Sequence, residues 1–545
     1  MNKKIEIFDS SLRDGAQSRG ISYSLEDKLK ITKQLDNLGV NYIEAGNPGS
    51  NLKDREYFDE INKYSLKNAI LVAFGSTRRK NIRAEQDKNL QDLLSAKTEA
   101  ISIFGKSWDY HVENVIVTSL EENIQMIFET ISYLKSKNKE VLFDAEHFFD
   151  GYKANAKYAI ETLKAAQRAG ADCLVLCDTN GGSFPDEIFE ITKYVVENLD
   201  VKVGIHCHND TGMAVANSLM AVKAGAKHIQ GTFLGIGERC GNANLSTIIP
   251  NLQTKQGYSC IKDEEIKNLT SSARYVAEIS NISLDQSMPY VGINAFAHKG
   301  GMHVDGIMKA KGSFEHIEPE VVGNNRKFLM SEVSGKNTVI GRIKKIDPSI
   351  TKESPETKEI VDLLKKLERE GYQFEGAEAS FELVIRKYLG KYKPFFNLEY
   401  YKIIEEESND KNNGCSASAL IKVKVNDKVE MTAAEGNGPV NAIDKAIRKA
   451  LELFYNNLKD FHLSDFKVRV LNGANTAAKV RVLIESTDGI DYWSTIGVST
   501  NIIEASVNAL VDSIEYKLIK DIENTDMNDG NEDNSNNSSC ACGTR

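Results

Sequence analysis

The feature that most constrains the fold is an alternation of short β-rich runs and amphipathic stretches over residues 1–265. The intervening stretches Leu25–Leu38 and Asn155–Ala169 carry apolar residues three and four positions apart, and each ends at a glycine, Gly39 or Gly170. Eight strands separated by helices within about 270 residues are typical of a (β/α)8 TIM barrel, an α/β fold, rather than of an open doubly wound sheet. The predicted strands are Ile5–Phe8, Tyr42–Ala45, Ile70–Phe74, Ala100–Phe104, Glu140–Asp144, Cys173–Cys177, Lys202–His206 and Ile229–Phe233.

The pattern changes after this predicted barrel. Residues 266–365 are mostly helical and polar, which indicates a helical linker subdomain. Residues 366–520 mix strands with two helices and indicate a C-terminal α+β domain, in which segments starting at Glu435 and Ile496 form a weak repeat, each leading into an Asn-capped helix. Residues 521–545 are rich in Asn, Asp and Ser and predict a disordered tail. The strands predicted in the C-terminal domain are Ser380–Arg386, Ala419–Val425, Lys467–Leu471 and Ala478–Glu485.

Composition excludes several classes of function. The net charge is −10 and the acidic residues are dispersed, so neither nucleic acid nor an anionic membrane surface is expected as a partner. No run approaches the roughly 18 apolar residues of a membrane span, and the first residues leave no room for a signal peptide. The eight cysteines, two of them (Cys540 and Cys542) in the tail, lack the spacing of a disulfide framework, so we expect a cytoplasmic protein.

Polar residues follow the carboxyl ends of the predicted strands. In a barrel these ends open on one face, where active sites of this architecture lie. A chain without a site would not sort its polar residues in this way. They are Arg13, Asp14, Glu44, Glu146, His147, Asp178, Thr179, His206, His208, Glu238, Arg239 and Asn242.

His206 and His208 end the seventh predicted strand, and residues i and i+2 of a strand point to one face. With Asp14 they form a mixed oxygen and nitrogen set that suits Mg²⁺, Mn²⁺, Co²⁺ or Zn²⁺, and Asn242 is a candidate fourth ligand. The set also fits a non-haem iron oxygenase, and two structural histidines remain an alternative. Arg13 beside Asp14 favours an anionic substrate whose carbonyl oxygen gains charge, such as a 2-oxo acid.

Four motifs resemble those of the 2-isopropylmalate, homocitrate and citramalate synthase family, in order from residue 1 to about 520. Three further segments, 48–51, 104–112 and 144–153, look most like the long citramalate synthases. The motifs are Leu12-Arg13-Asp14-Gly15-Ala16-Gln17 with Lys28 eleven residues on, His206-x-His208-Asn209-Asp210-x-Gly212, Gly235-Ile-Gly-Glu238-Arg239-Cys-Gly-Asn242 and Asn294-Ala-Phe-Ala-His298-Lys-Gly-Gly-Met-His303.

The resemblance implies an acyltransferase that condenses acetyl-CoA with pyruvate, in isoleucine biosynthesis, and then hydrolyses the thioester. It implies a homodimer in which isoleucine binds the C-terminal domain and inhibits the enzyme. Helix N-termini near 436–441 and 497–501 are candidate binding sites for the carboxylate of isoleucine. It assigns Asp14, His206, His208 and Asn242 to a divalent metal ion, Arg13 to the developing alkoxide, Thr179 to pyruvate, Glu44 to orienting Arg13 or a metal-bound water, and Glu146 and His303 to acid–base chemistry.

One position departs from the family pattern. Phe314 stands eleven residues after His303, where the family usually carries a tyrosine, so proton transfer cannot be assigned to it, and Tyr290 or His316 are possible substitutes. Trp108 and His111 either shape the 2-oxo acid pocket or only cover the barrel.

Other functions remain open at this point. A 2-isopropylmalate or homocitrate synthase would differ only in the pocket for the 2-oxo acid side chain. A lyase would share the metal site without requiring the C-terminal domain, and a non-catalytic amino-acid sensor would use that domain alone.

Overall fold

The computed structural model describes residues 4–50, 52–328, 340, 343–344, 346–351, 353–405, 417–471, 478–489 and 491–535. The chain forms two compact units, one of residues 1–297 with 315–327 and one of residues 298–314 with 328–545. The predicted domain boundaries at 265, 365 and 520 stay predictions. Among the described helices, none has both the length and the apolar character that a membrane span needs.

The first unit contains a closed barrel of eight parallel strands in chain order. The barrel closes where Glu6–Asp9 of β1 pairs with His228–Gly231 of β8. The prediction of a (β/α)8 TIM barrel is therefore confirmed, and each predicted strand overlaps an observed one. The strands are β1 (Glu6–Asp9), β2 (Tyr42–Gly46), β3 (Ile70–Ser76), β4 (Ala100–Lys106), β5 (Glu140–Glu146), β6 (Cys173–Asp178), β7 (Lys202–Cys207) and β8 (His228–Gly231).

Helices surround the strands, and their ends follow local sequence signals. The first helix starts at a capping box in which Ser24 and Asp27 each accept the other's backbone N–H, and it ends at Gly39 with φ of 93°. The helices of this unit are Leu25–Leu38, Leu52–Ile61, Lys88–Ser95, Asp109–Asn114, Leu120–Ser136, Phe148–Arg168, Pro185–Asn198, Ala214–Ala224, Leu245–Pro250 and Leu269–Ile279.

Strand periodicity places the polar residues at the mouth of the barrel. Alternate residues such as Phe8, Tyr42, Leu142 and Val175 fill the barrel interior, and the residues between them pack under the helices. Because side chains alternate along a strand, the next interior positions toward the carboxyl ends are polar and lie at the base of the site. They are Glu44, Ser102, Asp144, His206 and Gln230.

The second unit is an α+β fold of two similar halves, each an antiparallel three-stranded sheet followed by a helix. The predicted internal repeat is thus visible, although only Asn501 caps its helix, by accepting the N–H of Ile503 at 2.8 Å; the other helix begins after Gly438. The halves consist of Asn397–Glu405, Ala417–Val425, Lys428–Gly436 and helix Pro439–Leu451, and of His462–Val470, Val480–Thr487, Tyr492–Ser499 and helix Ile502–Ser535.

One prediction for this region is wrong. Ser380–Arg386 was expected as a strand but lies within the helix Glu378–Tyr388, because a short apolar run buried on several sides does not distinguish the two periods. The last helix is described as far as Ser535, and the disordered tail predicted from residue 521 stays a prediction. Cys540 and Cys542 lie outside the described residues. Further α-helices in the described residues are Gly301–Lys309 and Pro355–Glu370, and further strands are the two-residue pairs Ala297–His298 and Lys327–Phe328.

Candidate active site

Asp14, His206 and His208 converge at the carboxyl ends of the strands. Asp14 Oδ2 lies 3.6 Å from His206 Nε2 and 4.0 Å from His208 Nε2, and the two Nε2 atoms are 3.3 Å apart. All three side chains are buried, and their ligand atoms lie within 4.8 Å of one another. Three electron-pair donors at such separations are the arrangement of a possible metal site.

Both imidazoles are held in the neutral form that a metal requires. Burial, together with neighbouring His208, lowers the pKa of His206 to about 3, and burial also lowers the pKa of His208. Burial alone would raise the pKa of Asp14, but Arg13 and the two histidines lower it to about 2. The set therefore presents one carboxylate and two neutral rings at neutral pH.

A glycine-rich loop after β8 holds Asn242 against Asp14. Asn242 Nδ2 donates to Asp14 Oδ1 at 3.1 Å, and within the described residues its buried Oδ1 has no hydrogen-bond partner. A Cβ on Gly237 would lie 2.2 Å from Asn242 Nδ2, and one on Gly241, where φ is 85°, would lie 2.0 Å from the carbonyl oxygen of Gly235. Only glycine therefore fits at positions 237 and 241. The unpartnered Oδ1 of Asn242 suits a further metal ligand.

The loop after β1 is a tight turn that presents Arg13 and Asp14. The backbone N–H groups of Arg13 and Gly15 both donate to the carbonyl oxygen of Ser10, at 3.1 and 3.0 Å. Arg13 Nε donates to Glu44 Oε2 at 2.6 Å and Nη1 to Asp14 Oδ2 at 3.0 Å. Glu44 is fully buried and also accepts the Ser10 hydroxyl at 2.5 Å, so it holds Arg13 from behind.

Thr179 and Glu146 line the same cavity as Arg13, Asp14 and the histidines; its volume is about 260 Å3. Thr179 Oγ1 accepts the backbone N–H of His147 at 2.8 Å. Glu146 Oε2 lies 2.5 Å from Lys106 Nζ and forms an ion pair with it. The aromatic walls of the cavity are Phe74 and Phe104, whose rings stack with centroids 5.3 Å apart.

Arg239 ties three strand-end loops together at the rim. Its guanidinium donates to both carboxylate oxygens of Asp210, at 2.8 and 3.0 Å, and to the carbonyl oxygen of Thr179 at 2.7 Å. This fork fixes the loop after β8 against those after β6 and β7.

Trp108 and His111 belong to an aromatic cluster after β4. Their rings stack at 5.1 Å, and the His111 ring lies 4.2 Å from that of His147, which has φ of 56°. Burial lowers the pKa of His111, and the neighbouring His147 acts in the same direction. Whether this cluster shapes the 2-oxo acid pocket stays a prediction.

His303 lies in the second unit, on the helix Gly301–Lys309, and its ring stacks on Phe314 with centroids 4.2 Å apart. Tyr290 and His316 belong to the first unit. The Tyr290 hydroxyl donates to Asn251 Oδ1 at 2.9 Å, and its ring meets His316 edge-on at 5.1 Å. The acid–base role of His303 stays a prediction.

Sequence reasoning missed a layer of residues beneath the site. Gln230 Oε1 lies 3.0 Å from His206 Nδ1, from which it can accept a hydrogen bond, and Gln230 Nε2 donates to Asp144 Oδ1. The Arg13 guanidinium lies over the ring of Phe74. Burial and the nearby Glu44 charge raise the pKa of Asp144 to about 7. Gln230 could have been singled out from the sequence, because it is a polar residue within a predicted barrel strand.

Three family models match the chain in succession. Residues 4–276 match the HMGL-like model, residues 290–371 the homocitrate synthase post-HMGL domain-like model, and residues 375–518 the LeuA allosteric (dimerisation) domain. The boundaries agree with the barrel and with the repeated sheet-and-helix unit.

Curated relatives cover nearly the whole chain. An (R)-citramalate synthase of Aquifex aeolicus is 52% identical, over 96% of this chain and 99% of its own length. One of Geobacter sulfurreducens is 49% identical, over 95% and 98%. A probable 2-isopropylmalate synthase of Methanosarcina acetivorans is only 31% identical, over 95% and 96%. The chain therefore belongs to the HMGL-like family, within the branch of the (R)-citramalate synthases.

Proposed function

We propose that this chain condenses acetyl-CoA with pyruvate and hydrolyses the thioester product, giving (R)-citramalate. The observation that carries the proposal is the convergence of Asp14, His206 and His208 beside the Arg13 guanidinium in one cavity. The 52% identity to a citramalate synthase over almost the full chain supports the same reaction.

We assign the divalent metal to Asp14, His206, His208 and Asn242. The neutral imidazoles, the low-pKa carboxyl of Asp14 and the unpartnered Asn242 Oδ1 fit such an ion. When bound, it would supply Lewis-acid polarisation of the oxygens of a 2-oxo acid. Its identity among Mg²⁺, Mn²⁺, Co²⁺ and Zn²⁺ is not fixed by this donor set.

Arg13 stabilises negative charge that grows on the C2 oxygen of pyruvate as the new bond forms. Two carboxylates, from Glu44 and Asp14, already fix the guanidinium through Nε and Nη1. A cation that is oriented before the reaction has no reorganisation cost when charge develops. Thr179 and Phe74 border the same cavity and would contact the small substrate.

Glu146 and His303 divide the proton transfers. Glu146 lines the cavity beside Lys106, a position from which a carboxylate can take a proton from the acetyl methyl group or from water. We assign the second acid–base role to His303, from the match of its surrounding motif to the family.

The decisive experiment offers pyruvate, 2-oxoisovalerate and 2-oxoglutarate with acetyl-CoA and follows release of the free thiol. We expect pyruvate to have the highest kcat/KM, and chelator treatment to abolish turnover until a divalent metal is restored. Preference for 2-oxoisovalerate would instead indicate a 2-isopropylmalate synthase. Undiminished turnover after chelation would contradict the metal site.

A matched pair of histidine variants separates the metal site from barrel stability. His208→Gln removes one proposed ligand. His228→Gln alters a fully buried histidine that contacts Glu6 at 3.3 Å at the opposite ends of the strands. We expect only His208→Gln to lose bound metal, as measured by metal analysis after gel filtration.

We further propose that isoleucine inhibits the enzyme through the C-terminal unit and that the protein is a homodimer. The match of residues 375–518 to an allosteric dimerisation domain supports both. Isoleucine, leucine and valine should be added in turn to the full chain, with the mass in solution measured by light scattering. If the protein is a stable dimer and has equal activity with and without isoleucine, the C-terminal unit forms the dimer but does not regulate activity.

A further inference from the structure

Three buried polar side chains form a hydrogen-bonded series directly behind His206. His206 Nδ1 is 3.0 Å from Gln230 Oε1, Gln230 Nε2 donates to Asp144 Oδ1 at 2.9 Å, and the Ser102 hydroxyl donates to Asp144 Oδ2 at 2.7 Å. Gln230 and Ser102 have no exposed surface, and Asp144 is 4% exposed. His206 and these three residues come from β7, β8, β5 and β4, so the hydrogen-bonded series crosses the barrel interior.

These hydrogen bonds fix the orientation of the Gln230 amide. At a pH above the raised pKa of Asp144, both of its carboxylate oxygens accept hydrogen bonds and cannot donate them, so the group of Gln230 that faces Asp144 is the NH2. Turning the amide over would set its oxygen against the carboxylate oxygen and leave two acceptors facing each other in a buried site, which is costly. The amide oxygen therefore faces His206.

The amide orientation in turn selects one form of the His206 ring. An oxygen at 3.0 Å from Nδ1 requires that Nδ1 carry the proton and donate it. In a neutral ring the lone pair is then on Nε2, the atom that lies 3.6 Å from Asp14 Oδ2 and 3.3 Å from His208 Nε2. The opposite tautomer would point an N–H into the ligand set.

We infer that Gln230 is a positioning residue that sets the Nδ1–H tautomer of His206, with Asp144 and Ser102 holding its amide in the required orientation. The inference rests on the proposed metal site. The strand register supports it, because His206 and Gln230 are direct partners across β7 and β8. Partners of this kind behind a ligating histidine raise metal affinity by about 10- to 100-fold.

The test uses Gln230→Met, Gln230→Glu and a matched control. Met has a similar shape and no hydrogen-bonding amide. Protonated Glu can donate O–H to Asp144 and present its other oxygen to His206, so it should rescue the tautomer. Asn217→Leu removes another fully buried amide of the barrel, one that donates to the Ser183 carbonyl oxygen at 2.9 Å and belongs to no proposed ligand group.

Two measurements are made on the full chain. Long-range ¹H–¹⁵N correlation of histidine-labelled, metal-free protein at pH 8.5 reports which ring nitrogen of His206 carries the proton, with His206→Gln for assignment. Calorimetric titration with Mn²⁺ or Zn²⁺ reports the Kd. We expect Nδ1–H in the original chain and in Gln230→Glu, loss of that preference in Gln230→Met, and a Kd about 10- to 100-fold weaker in Gln230→Met alone.

The outcomes separate the inference from the proposed function. If the original chain binds metal and Gln230→Met keeps both the Nδ1–H form and a Kd within twofold, the positioning role is wrong. If Asn217→Leu weakens binding as much as Gln230→Met does, the effect is general destabilisation and the role is also wrong. If the unaltered chain binds neither metal, the proposed metal site fails, whatever the tautomer.

Discussion

The guanidinium of Arg13 lies over the ring of Phe74, with Cζ 3.8 Å from the ring centroid. The contact orients the plane of the cation, while Glu44 and Asp14 fix its Nε and Nη1 edges. A planar, delocalised group is needed to satisfy a ring face and two carboxylates at once.

We predict that Arg13→Lys lowers kcat by about 10²- to 10³-fold, because a lysine cannot stack on Phe74 and keep both carboxylate contacts. Steady-state kinetics with pyruvate and acetyl-CoA measure the loss. Arg78→Lys is the control, since Arg78 is also an arginine with little exposed side chain and pairs with Glu122 and Glu129 away from the cavity. Comparable losses of kcat in both variants would argue against a special role for Arg13.

We predict that Phe314→Tyr leaves metal affinity unchanged and raises kcat by no more than several-fold. Phe314 stacks on His303, so a hydroxyl placed on this ring would stand next to an acid–base candidate. Metal titration and kcat of the variant test the idea. A large fall in kcat would show that the phenyl ring itself is required.

We predict that Lys28→Met lowers the free energy of unfolding by about 3–5 kcal/mol, since it leaves a buried carboxylate without its cation. Lys28 Nζ contacts Asp54 Oδ1 at 2.5 Å and the carbonyl oxygen of Ala45 at 2.9 Å. Adding Asp54→Asn should recover part of the loss, as measured by urea denaturation. A double variant less stable than Lys28→Met would contradict the pairing argument.

We predict that the second unit loses stability as pH rises from about 4.5 to about 7. Burial raises the pKa of Glu515 from 4.5 to about 7, although the N–H groups of Phe395 and Phe396 favour its charged form. The folded state therefore binds the proton more tightly than the unfolded state, and the stabilisation present at low pH disappears through this window, by roughly 1–3 kcal/mol.

Glu515→Gln should flatten this pH dependence, because the amide resembles the protonated carboxyl. Unfolding followed by the fluorescence of Trp493 in a Trp108→Phe background reports on the second unit alone, since the chain has two tryptophans. Glu452→Gln, a partly exposed carboxyl in the same unit, serves as the control. An unchanged slope in Glu515→Gln would overturn the assignment.

The sequence predicted the barrel and the direction of its polar residues because both follow from local periodicity. Each strand end carries its polar residue at an interior position, so Asp14, His206 and His208 could be brought together without knowing any contact. Asn242 could be named as a candidate ligand from the sequence, but its place against Asp14 depends on the glycine turn at 235–241.

Contacts between distant strands were beyond sequence reasoning. Nothing local in the sequence joins Ser102, Asp144 and Gln230, which meet only because the barrel closes. Lys28 belonged to the resemblance without an explanation, and the structure gives it a structural one, a buried ion pair with Asp54. Ser380–Arg386 shows the opposite failure, since local periodicity there suggested a strand where packing on several sides favours a helix.

Closure of β1 onto β8 has a consequence for the newly made protein. Asp14 and Asn242 are separated by 228 positions along the chain, and both belong to the proposed ligand group. Asp14 leaves the ribosome long before its partners do, and no ion can be captured until the last strand has emerged and sealed the ring. Metal binding should therefore be a late step in folding. Complete barrels should bind the metal, and truncated translation products should not.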